Sequence, residues 1–198
     1  WRFTGRRPTT HRLAGDVRLA QTLVIPAGDT LVIEPGTTIR LAPNQSLVSH
    51  GRVLAVGTES RPIRIMPEQA GVPWGTFSLQ GHGADSSLLH WVEVAQGGGA
   101  IVDRVEYIGM FNIHRADGVV IEHSPFRDNL RSDDTFHALH SRFYLRHSSV
   151  LRANSDAIDL DISSGELLNN VIENSGGDGI DLMSSTPRII GNRVSGSG

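Results

Sequence analysis

Residues 154–181 read NSDAIDLDISSGELLNNVIENSGGDGID, and this stretch decides the fold. Within it, Asp156–Asp159 (DAID) recurs 22 residues later as Asp178–Asp181 (DGID), and Asp134–His137 (DTFH) precedes it by the same step. A fixed repeat of this length indicates one structural unit repeated along an axis. The alternation of apolar and polar residues inside each repeat is typical of a short strand. The sequence therefore predicts an all-β fold, a right-handed parallel β-helix with coils of about 22 residues.

The first third of the chain also alternates short apolar runs with turn residues. Strands are predicted at Thr30–Glu34 and Thr37–Leu41, and the gaps between strands hold Gly, Pro or Asn. Proline ends such strands because it has no N–H to donate to the next coil. These coils resemble the N-terminal coils of right-handed parallel β-helix proteins of the pectate-lyase-like type. The residues that carry the resemblance are Thr30–Thr37 (TLVIEPGT), Gly51–Thr58 (GRVLAVGT) and Arg61–Ile63 (RPI).

The composition narrows the class of protein. With 198 residues and no linker-like segment, the chain suits a single domain, which we place at residues 13–198 after a polar lead-in at residues 1–12. The formal net charge of −3 and the lack of a basic face argue against a nucleic-acid partner. No apolar run reaches roughly 18 residues, so no membrane span is predicted. Because there is no cysteine, disulfides and cysteine-based zinc sites are excluded.

Two features depart from a uniform solenoid. The step from Phe111 to Phe136 is longer than the repeat by about three residues, which we place in the polar loop 128–133. In addition, the next Asp repeat would start at about residue 200, just beyond Gly198. An uncovered solenoid end exposes strand edges and apolar core. We therefore expect further coils or another chain to cover the C-terminal end.

Alternation along the predicted strands assigns side chains to the two faces of a sheet. We expect Phe111, Phe136, Ile158 and Ile180 to point into the core, so that their neighbours point outward and stack about 4.8 Å apart. The predicted outward columns are Asn112, His137, Asp159 and Asp181; His114, Leu139, Asp161 and Met183; and, at the turn entering the strand, Asp134, Asp156 and Asp178. One outer face is therefore predicted to be strongly acidic.

A dense patch of carboxylates needs an explanation, because neighbours at this spacing repel by about 1 kcal/mol in water and by more in a sheltered groove. One explanation is bound Ca2+, which takes 6–8 oxygen ligands and would be held by Asp159, Asp161 and Asp181. Another is a raised pKa that makes one carboxyl group a general acid at neutral pH.

Two explanations without a ligand are also open. One is pairing with arginines, for which the candidates are Arg115, Arg131 and Arg146. The other applies to the aspartates at the turn and is capping through hydrogen bonds from backbone N–H groups. Capping does not suit the mid-strand aspartates, since aspartate is disfavoured in strands.

The central coils carry a second resemblance. Asn154–Asp159 (NSDAID), followed one coil later by Gly176–Ile180 (GGDGI), is similar to successive catalytic coils of polygalacturonase-type glycoside hydrolases. That family has Asn-Thr-Asp, then an Asp-Asp pair about one coil on, and later a Gly-His-Gly and an Arg-Ile-Lys. The resemblance implies that Asp156 and Asp178 are catalytic carboxylates. Gly177 stands where the family has the first Asp of the pair, and the coils for the later motifs would lie beyond residue 198.

These patterns lead to a first functional hypothesis, a polysaccharide-active protein that is secreted, periplasmic or on the cell surface. It would be a hydrolase or lyase acting on an acidic glycan, with Ca2+ as the candidate cofactor. Hydrolysis with inversion needs two carboxylates about 6.5–9.5 Å apart, which favours a diagonal pair such as Asp156 with Asp181. Elimination on a uronate needs a base, for which the candidates are His137, Tyr107 or an arginine.

The predicted site residues fall into two groups. The predicted catalytic residues are Asp156, Asp159, Asp178, Asp181 and His137. The predicted substrate-binding residues are Asn112, His114, Asp134, Arg115 and Arg131. A second functional hypothesis is a non-catalytic surface or adhesion module that binds Ca2+ or a glycan through the same acidic columns. The lack of lysine and of a histidine in the expected later coil favours this alternative.

Overall fold

The computed structural model describes residues 6–198, and over this range the chain is an all-β parallel solenoid. Three parallel sheets run along its length, and two of them have eight strands, so the solenoid makes about eight turns. The predicted fold class is confirmed. Of the predicted lead-in 1–12, residues 1–5 lie outside the described part, and Thr10–Leu13 already forms the first strand.

The strands are short, three to six residues each. In chain order they are β1 (Thr10–Leu13), β2 (Asp16–Leu19), β3 (Leu23–Ile25), β4 (Thr30–Ile33), β5 (Thr38–Leu41), β6 (Leu47–Ser49), β7 (Arg52–Val56), β8 (Ile63–Pro67), β9 (Phe77–Gln80), β10 (Leu88–His90), β11 (Val92–Ala95), β12 (Ala100–Val102), β13 (Val105–Tyr107), β14 (Gly109–His114), β15 (Asp117–Glu122), β16 (Pro125–Arg127), β17 (Asp134–Leu139), β18 (Arg142–Arg146), β19 (Ser149–Leu151), β20 (Asp156–Asp161), β21 (Ser164–Leu168), β22 (Val171–Ser175), β23 (Ile180–Met183), β24 (Thr186–Ile190) and β25 (Arg193–Ser197). The helical content of the described residues is one short 3-10 helix, His82–Ala84.

Each complete turn contributes one strand to each sheet. Sheet 1 has the order β1-β4-β7-β10-β15-β18-β21-β24, and sheet 2 has the order β2-β5-β8-β11-β16-β19-β22-β25. Sheet 3 has the order β3-β6-β9-β14-β17-β20-β23. Strands β12 and β13 lie outside these sheets and form an antiparallel hairpin.

The register confirms the repeat that was predicted from the sequence. Ile158 pairs with Ile180, one sequence repeat further on, and Phe111 pairs with Phe136 across the longer coil. The surplus residues of the longer coil form the loop 128–133 between β16 and β17, as predicted. The length of a coil is therefore uniform only in the last part of the chain, which is where the sequence repeat is visible.

The apolar runs within residues 101–107 predict a further strand of the coil, and this prediction is wrong. This segment leaves the solenoid as the β12–β13 hairpin, which makes the step from Phe77 to Phe111 the longest between paired strands of sheet 3. Asp103 and Arg104 form the turn with φ angles of 50° and 65°. Two successive left-handed residues suit a two-residue hairpin turn, and aspartate is favoured at its first position. The Asp-Arg pair between two apolar runs was the available sequence signal.

The core is a continuous ladder of apolar side chains that includes a cluster of phenylalanines in edge-on and tilted contact. Phe111, Phe136 and Ile158 are fully buried, as predicted, and Ile180 packs against the core at its edge. The rings of Phe77 and Phe111 lie 5.2 Å apart, and those of Phe111 and Phe136 lie 5.3 Å apart. Aromatic contacts of this kind add to the stabilisation from buried area.

Corners of the solenoid are built from residues in the left-handed backbone conformation, which recur from coil to coil. They include Trp91, His123, His147 and Asn169 after sheet 1, Gln96, Asp128, Arg152 and Asn174 at the end of sheet 2, and Arg115, His140, Ile162 and Ser184 after sheet 3. The rings of Trp91, His123 and His147 stack on one another at the first of these corners. These three rings therefore have a structural role at the corner.

Asparagines at the corner between sheets 1 and 2, Asn170 and Asn192, recur one repeat apart and form an amide ladder. Asn170 is buried, accepts a hydrogen bond from the Ser148 N–H (2.9 Å) and donates to the Leu145 carbonyl (2.9 Å). It also donates to Asn192 Oδ1 in the next coil (2.9 Å). The side chain thus replaces backbone hydrogen bonds that the turn cannot make.

We expect Asn170→Ala to lower the free energy of unfolding by about 1–3 kcal/mol, since the buried Ser148 N–H and Leu145 carbonyl would lose their partners. Denaturant unfolding followed by circular dichroism measures the change. Ser195→Ala, on an exposed strand residue, is the control and should leave the free energy within about 0.5 kcal/mol. Equal stability of the two variants would contradict a stabilising ladder.

The C-terminal coil is the least buried. Its exposed apolar side chains are Leu182, Met183, Ile189, Ile190 and Val194. Coverage of this end by further coils or another chain stays a prediction. Across residues 6–198, no helix has the length and hydrophobicity that crossing a membrane requires.

Candidate acidic site on sheet 3

The strand register places the predicted acidic columns on one outer face. His137 pairs with Asn112 on one side and with Asp159 on the other, and Asp159 pairs with Asp181. In the neighbouring column Asp161 pairs with Met183. Outward orientation follows from the buried Phe136 and Ile158 that alternate with these residues. We call the outer surface of β17, β20 and β23 the acidic face.

Carboxylates on the strands of sheets 1 and 2 are all paired with arginines. The pairs are Asp16 with Arg40, Glu93 with Arg64 and Arg127, Asp117 with Arg142, Glu122 with Arg146, Glu166 with Arg146 and Arg188, and Glu173 with Arg193. Strands of sheet 3 differ, because none of their carboxylates has an arginine partner among residues 6–198. These carboxylates belong to Asp134, Asp156, Asp159, Asp161 and Asp181. Arginines therefore neutralise the strand carboxylates on the outer surfaces of sheets 1 and 2, but not, in the described part of the chain, those on sheet 3.

The arginines that were candidates for neutralising the acidic face are engaged elsewhere. Arg131 is exposed, and its guanidinium donates to the carbonyls of Gly98 and Gly99 and to Asn44 Oδ1. Arg115 is exposed at the corner after β14 and lines a different, shallow pocket. Arg146 bonds to glutamates of sheet 1, as described above. Arginine pairing therefore does not explain the acidic face within the described residues.

The N-terminal end of the acidic face is covered. Asn112, His114, Asp134 and His137 are each at most 5% exposed, although their side chains point outward from the sheet. Tyr107, at the end of the hairpin, stacks on the His114 ring with centroids 5.3 Å apart. These four residues were predicted to contact substrate or to act on it. In this structure they lie beneath the surface that a polymer could touch.

The other end of the acidic face is open. Asp178 and Asp181 are exposed, and Asp156, Asp159 and Asp161 are half-buried. The exposure of the polar side chains therefore increases from β17, where they are buried, through β20 to β23, where they are open to solvent.

Burial and mutual repulsion change the protonation of the covered carboxyl groups. Burial raises the pKa of Asp134 to about 8, and repulsion from Asp159 and other aspartates adds to the effect. The pKa of Asp159 is raised to about 6, first by burial and then by repulsion from Asp161 and Asp181. Desolvation disfavours the charged form of a carboxyl group, and a nearby like charge acts in the same direction. Metal-free protein therefore holds Asp134 largely protonated at neutral pH.

The two buried histidines are electrically neutral. Burial lowers the pKa of His114 to about 3, with smaller contributions from His137 and Arg115. Burial also lowers the pKa of His137, against an opposing interaction with Asp161. Nε2 of His114 and Nδ1 of His137 are hydrogen-bonded at 3.0 Å, and Nε2 of His137 lies 3.5 Å from Asp161 Oδ2. Nδ1 of His137 thus faces another imidazole, while its Nε2 faces carboxylates.

One group of side chains has the spacing of metal ligands. An oxygen of Asp134, a ring nitrogen of His137 and an oxygen of Asp159 all lie within 4.8 Å of one another. We call these three residues the buried triad. The sequence prediction for a metal instead combined Asp159 with Asp161 and Asp181, of which Asp181 is exposed. Asp134 and His137 enter the set because they are buried close to Asp159, which the repeat pattern does not reveal.

The turn aspartates have a structural contact that was among the alternatives. The Asp178 N–H donates to Asp156 Oδ1 at 2.6 Å, so Asp156 caps the entry to the next coil. A Cβ on Gly177 would lie 2.3 Å from the same Asp156 oxygen. A residue with a side chain at position 177 would displace the Asp156 carboxylate, so glycine at this position preserves the capping contact.

A pocket of about 440 Å3 adjoins the covered end of the face. It is lined by residues 98–101, 106–108 and 131–133, so the hairpin and the loop 128–133 form its walls. Asp133 directly precedes the buried Asp134. The surplus residues that the sequence placed in the loop 128–133 thus form one wall of the pocket, whereas the hairpin was not predicted.

No family model, no curated protein and no solved structure matches this chain. The parallel solenoid fold is established by the strand pairing. Membership of the pectate-lyase-like or polygalacturonase-type families stays a prediction.

Proposed function

We propose that this protein is a polysaccharide-active enzyme, secreted, periplasmic or on the cell surface, that cleaves a glycan bound along the acidic face. The observation that carries the proposal is the contrast between the three sheets. Strand carboxylates of sheets 1 and 2 are neutralised by arginines, whereas those of sheet 3 are concentrated on one face without an arginine partner among residues 6–198. Unpaired, closely spaced carboxylates are costly unless they serve a ligand or a reaction.

Hydrolysis suits the side chains better than elimination. Elimination needs an accessible base next to the C5 proton of a uronate. His137 and Tyr107, which were candidates for this base, are each about 2% exposed. Burial also raises the pKa of Tyr107 to about 12, so its hydroxyl group stays protonated. Hydrolysis requires two carboxyl groups on either side of the glycosidic bond, and the open end of the face supplies them.

Two carboxylate pairs on the acidic face predict opposite stereochemistry. Asp181 and Asp159 are register neighbours, about 4.8 Å apart along the solenoid, which is close to the 5–5.5 Å of retaining enzymes. Asp156 lies three residues before Asp159 on β20, so it is diagonal to Asp181 on β23. The distance between Asp156 and Asp181 is therefore larger than that between Asp159 and Asp181, as an inverting enzyme requires. The anomeric configuration of the first product, measured by NMR, distinguishes the two pairs.

We expect Asp181→Asn to lower kcat/KM for polysaccharide cleavage by about 100-fold or more, because general acid–base catalysis typically contributes 10²–10⁴-fold. Asp181 is exposed, so the variant should unfold at an unchanged temperature. The assay measures new reducing ends and unsaturated products on a panel of neutral and uronate polysaccharides. Asp117→Asn, which removes an exposed carboxylate from sheet 1, is the matched control and should retain full activity.

A second candidate function is favoured by one observation. The exposed part of the acidic face, between residues 6 and 198, has carboxylates but no basic side chain paired with them. A non-catalytic module that binds a glycan or a cation needs no such partner. If the wild-type chain binds a polysaccharide in a pull-down or by calorimetry but cleaves none of the panel, the enzyme proposal fails and the binding module takes its place.

A further inference from the structure

We propose that the buried triad of Asp134, His137 and Asp159 holds a divalent transition-metal ion. Binding of the ion is independent of whether the protein cleaves a glycan. Its consequence for substrate choice, given below, rests on the proposed function.

One carboxylate oxygen of the buried triad lacks a hydrogen-bond partner among the described residues. Among residues 6–198, Oδ2 of Asp134 is buried and has no hydrogen-bond partner, and the whole residue is 1% exposed. A buried carboxylate without a counter-charge is strongly destabilising. Protonation removes the charge but leaves a buried hydroxyl group without an acceptor, which still costs free energy. A cation between Asp134 and Asp159 satisfies this oxygen and removes their mutual repulsion at the same time.

A second unpartnered oxygen belongs to the neighbouring column. Oδ1 of Asp161 is also buried without a partner, and its Oδ2 lies 3.5 Å from His137 Nε2. Asp161 is therefore placed to supply a fourth ligand or to accept a hydrogen bond from metal-bound water. Among the described residues, two carboxyl groups close to His137 thus each have a buried oxygen without a partner.

The geometry around His137 orients its ring for ligation. Nδ1 of His137 is 3.0 Å from His114 Nε2, and neutral His114 can accept a proton there. With the proton on Nδ1, the lone pair of His137 Nε2 points towards Asp159 and Asp161, at 3.9 and 3.5 Å. Metal-binding histidines usually donate their other N–H to such an acceptor, which fixes the ring and its tautomer. His114, held by the stacked Tyr107 ring, is thus a positioning residue.

The donor set selects the kind of ion. Ca2+ prefers 6–8 oxygen ligands, whereas the buried triad supplies an imidazole nitrogen and a small number of carboxylate oxygens. Imidazole combined with carboxylate suits Zn2+, Mn2+ and similar ions. We therefore infer a transition metal in place of the Ca2+ predicted from the sequence.

A cation at this position also indicates the class of substrate. Without it, the acidic face repels a polymer that carries carboxylates. With it, the two charges of the ion offset those of Asp134 and Asp159, so the buried end of the face next to exposed Asp181 no longer adds to that repulsion. An acidic polysaccharide is then repelled less than by the metal-free face, while the ion itself stays beneath the surface that the polymer contacts. Asp159 would serve as a metal ligand, which leaves Asp156 and Asp181 as the pair for hydrolysis.

Isothermal titration of the chelator-treated chain with ZnCl2, MnCl2 and CaCl2 tests the site. We expect Zn2+ or Mn2+ to bind at one ion per chain and Ca2+ to bind at least about tenfold more weakly. His137→Gln should weaken binding by about 100-fold or more, since loss of a ligand exceeds the 10–100-fold typical of an outer-shell change. Asp134→Asn provides a second variant that we expect to fold well, for the reason argued in the Discussion. His147→Gln, on an exposed corner histidine, is the control.

Several results would overturn the inference. They are no binding of Zn2+ or Mn2+, tighter binding of Ca2+ than of either, or unchanged affinity in both His137→Gln and Asp134→Asn. Failure of the enzyme proposal is recognised separately, because Asp181→Asn should bind the ion like the wild type and lose only cleavage. A chain that binds the ion and cleaves nothing supports the metal site and rejects the enzyme.

Discussion

Replacing Asp134 with asparagine should stabilise the metal-free protein at pH 8 by roughly 2–4 kcal/mol. The side chain is 1% exposed and has a buried oxygen without a partner. Its pKa rises from 3.8 to about 8 on folding, mainly through burial. A shift of about four units corresponds to at most about 6 kcal/mol. Asparagine removes the charge but keeps an unpartnered polar group, so we expect only part of that limit.

The stabilisation should depend on pH in a definite direction. Below pH 3.8 the carboxyl group is protonated in both the folded and the unfolded chain, and its full contribution to stability is present. Between pH 3.8 and about 8 the unfolded chain releases the proton while the folded chain keeps it. Folded protein then binds more protons than unfolded protein, and the free energy of unfolding falls as the pH rises. Above about pH 8 the loss is complete.

Denaturant unfolding at a series of pH values, with chelator present, measures this contribution. The wild type should lose stability between pH 4 and pH 8 relative to Asp134→Asn, and Asp159, whose pKa is raised to about 6, leaves a smaller slope in both proteins. Asp178→Asn, which removes an exposed carboxylate next to the same face, is the control and should keep the wild-type slope. Parallel pH profiles for wild type and Asp134→Asn would show that Asp134 is not buried as a neutral acid.

With a metal ion bound, the sign of the Asp134 effect should reverse. The ion stabilises the folded chain by an amount that grows with its concentration, and Asp134→Asn removes a ligand. An identical substitution thus stabilises the metal-free protein and destabilises the metal-loaded one. A merely structural role for Asp134 predicts the same sign under both conditions.

The sequence repeat was sufficient to predict the solenoid and its register, because both are local properties. An inward Phe136 or Ile158 fixes which neighbours point outward, and the length of the repeat fixes which of them stack. The acidic columns follow from these two facts alone. What the repeat could not show is how much of each column solvent reaches.

The hairpin, which lies outside the repeat, contributes to the burial at one end of the acidic face. Tyr107 covers His114, and the same end of the face buries Asp134 and His137. Residues 100–107 have no counterpart one coil earlier or later. The repeat therefore predicts an ordinary strand of the coil there and gives no sign of a hairpin. The division into buried ligands and exposed catalytic candidates therefore required the three-dimensional structure.

The use of arginine instead of lysine throughout the sequence can be explained only with the structure. Arginines on sheets 1 and 2 reach carboxylates in neighbouring coils, as Arg146 does with Glu122 and Glu166. A planar guanidinium with several donors can join two carboxylates at once, which suits a ladder repeated at the spacing of strands. Because such pairs hold the other two faces neutral, the unpaired carboxylates of sheet 3 become informative about function.

Truncation of Phe136 should produce the largest loss of stability, about 3–5 kcal/mol for Phe136→Ala. The ring is fully buried and lies 5.2–5.5 Å from the rings of Phe111, Phe126 and Phe143. These neighbours belong to three different strands, so the cavity would loosen contacts in two coils at once. Val171→Ala, on a side chain that is 37% exposed, is the control and should cost less than about 1 kcal/mol.

The same substitution tests how closely the core and the acidic face are coupled. Phe136 lies between Asp134 and His137 on one strand, with the ring inward and the polar groups outward. In a solenoid each coil is stabilised chiefly by its neighbours, so a cavity under β17 should act on this strand more than on distant coils. We therefore expect hydrogen exchange to accelerate at β14, β17 and β20 and to change little at β2 and β5. Uniform acceleration along the chain would mean that the solenoid unfolds as one cooperative unit, and the site could not then be loosened separately from the fold.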